Sequence, residues 1–204
     1  MAELASASRR RRRTLPAVGA ALAAAVAVTG FIVVHRHRGG GEGPLGCGGC
    51  DYIFTSMAID VDHSGTNGVP VLLNHGSKDA RLDAVSFDGL TRGLEILGPL
   101  ALRIGDYVGP GLAAGVIRGY PPAHTRGDAR PVAGFVVHPY RNRDEAVELL
   151  IGFRPRRTGT FSYRSLLVHY HVGGHGYVAR YPISLTICAP FAAYTAESCA
   201  AHEP

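Results

Sequence analysis

Residues 145–187 read EAVELLIGFRPRRTGTFSYRSLLVHYHVGGHGYVARYPISLTI, and apolar residues recur along this stretch at every second position. Val147, Leu149, Ile151 and Phe153 fall on one side, with Glu148 and Arg154 opposite them. Successive side chains of an extended chain point to opposite faces, so this period predicts strands with one buried and one wet face. Further on, Leu166, Val168 and Tyr170 alternate with Leu167, His169 and His171. After Gly173-Gly174-His175-Gly176 the alternation resumes through Val178, Ile183, Leu185 and Ile187. Two such runs joined by a glycine-rich turn predict a hairpin.

The same period extends towards the N-terminus. Ile53, Met57, Ile59 and Val61 share one face, and weaker runs at 69–74, 81–87, 94–104, 115–118 and 132–138 are separated by Gly, Pro, Asn and Asp. Turn residues at this spacing predict an all-β, antiparallel sandwich of about eight strands. Within 52–204 the one helical candidate is the Ala-rich tail 191–202, which suits a short surface helix. Residues 52–190 form the expected sandwich domain, ample for one core, with 191–204 as a tail.

The segment FRPRRTGTFSYRSLLVHYHVGG, residues 153–174, resembles the late strands of bacterial immunoglobulin-like domains. In that family a loop glycine precedes an aromatic and a tyrosine turns the corner into a long strand; Gly159, Phe161 and Tyr163 occupy those places. The resemblance implies an immunoglobulin-like sandwich. The chain lacks the family's core tryptophan and inter-sheet cysteine pair, and the fold hosts many unrelated functions.

Arginines 9–13 precede an uncharged stretch, 14–34, reading TLPAVGAALAAAVAVTGFIVV. As a helix it reaches roughly 31 Å at about 1.5 Å per residue, enough for a bilayer core of about 30 Å. The denser positive charge before it places 1–13 in the cytoplasm and the remainder outside. Ala25-Val26-Ala27 also fits an export-signal cleavage site, but the apolar run continues past it, which favours a retained single span. Residues 1–38 carry net +6 and residues 39–204 net −1, so the chain's +5 is an anchoring device, and no nucleic-acid partner is expected. Twenty arginines against the single Lys78, with much Ala and Gly, point to a GC-rich bacterial genome. Residues 35–51, dominated by glycine, read as a flexible stalk.

Export puts Cys47, Cys50, Cys188 and Cys199 in an oxidising compartment, where an even number implies disulfides. Three pairings are open. Joining the stalk to the tail would close a long loop worth roughly 4 to 5 kcal/mol, against under about 3 for the two short closures. Cys47-Gly-Gly-Cys50 also has the spacing of a thiol–disulfide redox centre, but a strand follows it where a helix N-terminus would be needed to lower the thiol pKa. Asp51 stands where haem attachment needs His, and the wide second spacing disfavours zinc.

His169 and His171 share a strand face and His175 lies in the adjoining turn, a grouping that would suit Cu(II) or Zn(II). With no fourth ligand identifiable, the wet face of an exposed hairpin is the preferred reading. Asp60, Asp62 and Ser64 copy the opening of a calcium loop, but Val71 occupies its twelfth position and a polar turn explains the same letters. Arg154, Arg156, Arg157 and Arg164 crowd a predicted turn, as a solvated loop or a contact for an anionic envelope polymer.

G-x-S-x-G, P-loop, G-x-G-x-x-G and H-E-x-x-H motifs are all missing from the sequence, so no enzymatic activity and no cofactor are expected. The expectation is a membrane-tethered extracytoplasmic binding or scaffolding module of the bacterial envelope, acting with an envelope protein partner. A copper- or zinc-binding protein and a redox protein at Cys47/Cys50 are the alternatives.

Overall fold

A computed structural model describes residues 43–47, 52–106, 115–125 and 127–203. The basic segment 1–13, the apolar stretch 14–34 and most of the stalk, Cys50 included, lie outside the described residues. Among the described residues no helix is long and apolar enough to cross a membrane.

The chain is all-β. Fourteen strands succeed one another among the described residues: β1 (Leu45–Cys47), β2 (Ile53–Ala58), β3 (Gly65–Asn67), β4 (Val71–Asn74), β5 (Ala80–Asp88), β6 (Leu94–Arg103), β7 (Val116–Arg118), β8 (Arg130–Pro131), β9 (Val136–Val137), β10 (Val147–Pro155), β11 (Gly159–Tyr163), β12 (Ser165–Val172), β13 (His175–Tyr181) and β14 (Ile183–Ala189), before a short helix α1 (Ala196–Ala200). This exceeds the eight expected, because bends divide long alternating runs and two- or three-residue strands carry no periodic signal.

β10 organises the largest sheet. One edge pairs with β4 through Val147 and Glu148 and then with β3 through Ile151 to Phe153; the other edge pairs with β6 along its whole length. β1 extends this sheet beyond β4, β7 beyond β3 and β8 beyond β6. The stalk therefore ends earlier than its glycines suggest, since β1 is built in and Leu45 is buried. Hydroxyls of the neighbouring sheet hold β1 in place: Leu45 N–H donates to Tyr170 Oη (3.2 Å), and Tyr181 O–H donates to the Gly46 carbonyl (3.1 Å).

The stretch 159–189 is one long hairpin whose arms serve two sheets. β12 and β13 form its tip and join β5 and β9, whereas β11 and β14 form its base and join β2. The arms change sheet at Arg164 and at Pro182, where proline has no N–H to give a ladder. β2 and β14 pair in parallel, from Ile53↔Ile183 to Ala58↔Cys188, which corrects the purely antiparallel expectation. Their pairing joins segments some 130 residues apart, so no turn between them announces it.

The core lies where the sheets face each other, with Leu149, Ile151, Phe153, Phe161, Tyr163, Leu166, Val168, Leu185 and Ile187 all but fully buried. Tyr163, placed by resemblance at a corner, spends its hydroxyl on a distant side chain instead, accepting from Asn67 Nδ2 at 2.8 Å. Contrary to the half-buried expectation, β10 and β14 are covered on both sides. Behind β10, Leu102 and Leu150 form a second small cluster with Leu100, Ile117 and Ala129. Here Gly152 is required, because a Cβ at that position would come within 2.5 Å of the Tyr120 ring. The register slips one residue further on, from Gly152↔Gly98 to Phe153↔Ile96, and this bulge sets Leu97 outside the ladder.

Behind β14, α1 packs on β2 and β14. Thr195 and Ser198 cap α1 reciprocally, the helix is only five residues long, and the Cys188–Cys199 disulfide fastens it to the sheet. That bond settles the pairing of these two cysteines and excludes a cross-link between stalk and tail. Cys47 is also disulfide-bonded.

By the loop-entropy model, removing the Cys188–Cys199 closure should cost about 3 kcal/mol. The Cys188→Ala/Cys199→Ala protein is therefore expected to unfold at lower urea than the oxidised parent by that amount. A loss below about 1 kcal/mol would mean that packing alone seats the tail.

Candidate functional site

Two places hold chemistry worth weighing: the outer face of the β13-β12-β5 sheet, and a carboxyl buried behind β10.

On β12, Leu166, Val168 and Tyr170 turn into the core, which leaves Leu167, His169 and His171 on the outer face, as the alternation predicts. His175 does not join them. It pairs in register with Val172, two positions beyond Tyr170, so it belongs to the opposite face from His169 and His171. The pattern of a hairpin turn left this choice open, because it depends on which residues the turn consumes. Among the described residues no group of three His, Cys, Asp or Glu is assembled to hold a metal.

A bulge in β5 shapes the rest of this face. β12 pairs His169 with Ala84 and then Tyr170 with Leu82, so Asp83 is the extra residue. Leu82 thereby stays in the core while Asp83 turns outward, where its Oδ1 lies 3.0 Å from His171 Nδ1. Ser86 Oγ lies 2.7 Å from His169 Nε2. At the far end Asp88 accepts from Arg180 Nη2 (2.9 Å) and Arg164 Nη2 (3.2 Å). The Arg180 hydrogen bond, helped by the Arg164 charge and opposed by partial desolvation, holds the Asp88 carboxyl below the usual range.

Serine, histidine and aspartate are thus all present, but divided between two histidines. A serine nucleophile needs a base that a third group orients, and here Asp83 orients His171 while Ser86 meets His169. What the face offers is a row of polar hydrogen-bonding groups on a rigid sheet. Beside Asp83 the row runs into a shallow groove of about 300 Å³ lined by Ala84, Val85, Pro99, Pro131, Val132 and Ala133.

The remaining sequence candidates are dispersed. Asp60 Oδ1 accepts from Phe191 N–H (3.1 Å), Asp62 Oδ1 from Arg156 Nη1 (2.6 Å), and the Ser64 carbonyl from Gly119 N–H (2.7 Å). Three oxygens engaged by separate protein donors do not converge as a calcium loop requires. The arginines part company too: Arg154 and Arg156 meet Glu95, Arg157 lies over the Phe161 ring, and Arg164 belongs to Asp88. Cys47 stands in β1 rather than at a helix N-terminus, the device that would lower a redox thiol's pKa.

Sequence reasoning set Glu148 on a wet face, opposite Val147 and Leu149. The structure buries it completely, at 0 % exposure, and neither carboxyl oxygen has a hydrogen-bond partner. Burial alone pushes its pKa from the ordinary 4.5 up to about 7. The available signal was Leu150, the next residue on Glu148's own side, because an apolar residue there hints that this side is covered too.

No family model matches the chain, and no curated protein matches it either. Among solved structures, the ASH / PapD-like domain of human CEP192 (PapD-like domain 7) is similar at 14 % identity over 72 % of this chain and 85 % of that one, with a TM-score of 0.36. The Vibrio cholerae VesB protease is similar at 9 % identity over 78 % of this chain and 34 % of that one, with a TM-score of 0.32. With TM-scores this low, neither structure assigns the chain a fold family.

Glu148 has a calculable consequence for stability. Its folded pKa lies above its unfolded value, so its contribution is most favourable below pH 4.5, declines as pH rises, and is flat above about pH 7. The decline amounts to roughly 3 kcal/mol. Glu148→Gln removes this dependence, so the variant should gain on the parent by about that amount between pH 4.5 and pH 8 in denaturant titrations. Parallel stability profiles for the two proteins would contradict the assignment.

Proposed function

We propose that this chain is a membrane-tethered binding or scaffolding module on the outer side of a bacterial cytoplasmic membrane, its folded part an immunoglobulin-like sandwich. The observation that carries the reading is the oxidised state of the described cysteines: Cys188 is bonded to Cys199, and Cys47 is disulfide-bonded as well. Cytosolic thiols are held reduced, so structural disulfides at both ends of one small domain favour an exported location. The arginine run and the uncharged stretch 14–34 supply the tether in this reading.

The binding role rests on what the folded part offers. Its groups form a rigid outward row from Asp88 through His169 to Asp83, ending beside an apolar groove. A polar row beside an apolar recess suits recognition of another protein better than bond-breaking chemistry. The near-neutral charge of 39–204 gives no preference for nucleic acid.

Reporter fusions after Pro204 of the full chain, in a bacterial host, test the location. An export-dependent phosphatase fused there should be active, and a fluorescent protein that folds only in the cytosol should stay dark. Cys188 and Cys199 should resist alkylation in denaturant until a reductant is added. A bright cytosolic fusion with freely alkylated thiols would overturn the proposal.

A further inference from the structure

β7 lies at one edge of the large sheet and β8 at the other, and we call the described residues from the one to the other, 116–125 and 127–131, the flap. The ladders that hold it are short: β7 pairs three residues with β3, and β8 pairs two with β6. Side-chain ties supplement them. Thr66 Oγ1 donates to the Gly119 carbonyl (2.5 Å), and Tyr120 O–H donates to the Gly98 carbonyl (2.9 Å). Beneath the flap, Ile117 and Ala129 pack against Leu102 and Leu150. Those two leucines are Glu148's immediate neighbours on the same side of the sheet, Leu102 as its cross-strand partner and Leu150 two residues along β10.

We propose that Glu148 is a proton-operated latch for this flap: uncharged, its carboxyl lies buried beside the flap's apolar contacts; ionised, it draws water into that cluster and releases the flap from the sheet. A neutral carboxyl without partners costs a few kcal/mol to bury, whereas an unpaired carboxylate costs considerably more. The ionised form is therefore relieved by local opening, and the element beside it with the shortest ladders is the one to yield.

The charged and titratable groups around Glu148 are all committed elsewhere. On β6, Arg103 pairs in register with Val147, hence on the other face, and meets Glu145, Asp106 and the Val136 carbonyl there. β4, whose Val71 is Glu148's register partner, carries no charged residue. On β10 itself the next residue on its side is Leu150, and uncharged Ala146 stands just before the strand. Among the flap's described residues Arg118, His124, Asp128 and Arg130 are exposed, and Tyr120 is engaged with Gly98. Among the described residues no donor reaches either carboxyl oxygen, and burial raises its pKa.

Hydrogen–deuterium exchange of the full chain at pH 5.5 and 8.5, corrected for intrinsic rates, reads the latch directly. With a pKa of about 7 closed and about 4.5 open, the opening constant of peptides within 116–131 should rise roughly 30-fold between the two pH values. Peptides within 165–181, on the other sheet, open only with the whole domain and should exchange far more slowly than the flap at pH 8.5. Glu148→Gln should abolish the rise, and Glu148→Leu serves in its place should the amide variant fail to fold. Direct titration of the wild-type carboxyl by carbon NMR should give a midpoint near 7. A midpoint in the ordinary carboxylate range, a flap indifferent to pH, a rise retained in the variants, or a flap that opens no more readily than 165–181 at pH 8.5 would each overturn the latch.

Discussion

The fold depends on β10 having neighbours on both edges and cover on both faces. Its two edges hold β3, β4 and β6 in one sheet, and its inward residues Val147, Leu149, Ile151 and Phe153 supply much of the core. Such a strand has no wet face on which a polar residue can rest. Gly152 meets the demand by having no side chain where Tyr120 approaches, and Leu150 meets it by being apolar. Glu148 does not meet it, and for that reason it is the residue whose chemistry departs furthest from the ordinary.

Two local irregularities adjust this frame. At Gly152/Phe153 the bulge leaves Leu97 outside the ladder, so that Ile96 returns to the core side opposite Phe153. At His169/Tyr170 the opposite strand carries the extra residue, and Asp83 is turned outward beside His171 while Leu82 stays buried. Each bulge keeps an apolar residue inside at the cost of one ladder position, and the second also creates the charged end of the polar row. The polar row is in this sense a by-product of packing: the groove and the Asp83–His171 pair stand where the strand was displaced.

The tail and the stalk are bound into the domain by different means. α1 is too short to persist alone, since isolated helices of fewer than about 12 residues are marginal in water. The disulfide to Cys188 and the capping box at Thr195 hold it, while Tyr52 and Thr186 secure Glu203 and the His202 carbonyl beyond it. β1 is held by its ladder to β4 and by the hydroxyls of Tyr170 and Tyr181.

The sequence by itself determined which segments are strands, because alternation is a property of the extended backbone and needs no partner. It also determined that Leu166, Val168 and Tyr170 face inward with His169 and His171 opposite, and that within 52–204 an α-helix would lie in the tail. Only the tertiary structure decided whether an outward face stays wet. Leu150 lies under cover because Ile117 and Ala129 of a distant segment pack against it, and β14 is buried twice over because α1 is stapled behind it. The parallel β2–β14 pairing, the choice among cysteine partners and the face taken by His175 were likewise settled by register and by chain separation. The physical reason is common to all of them: the period of a strand fixes which side chains share a face, but what a face meets is set by contacts between residues far apart in the chain.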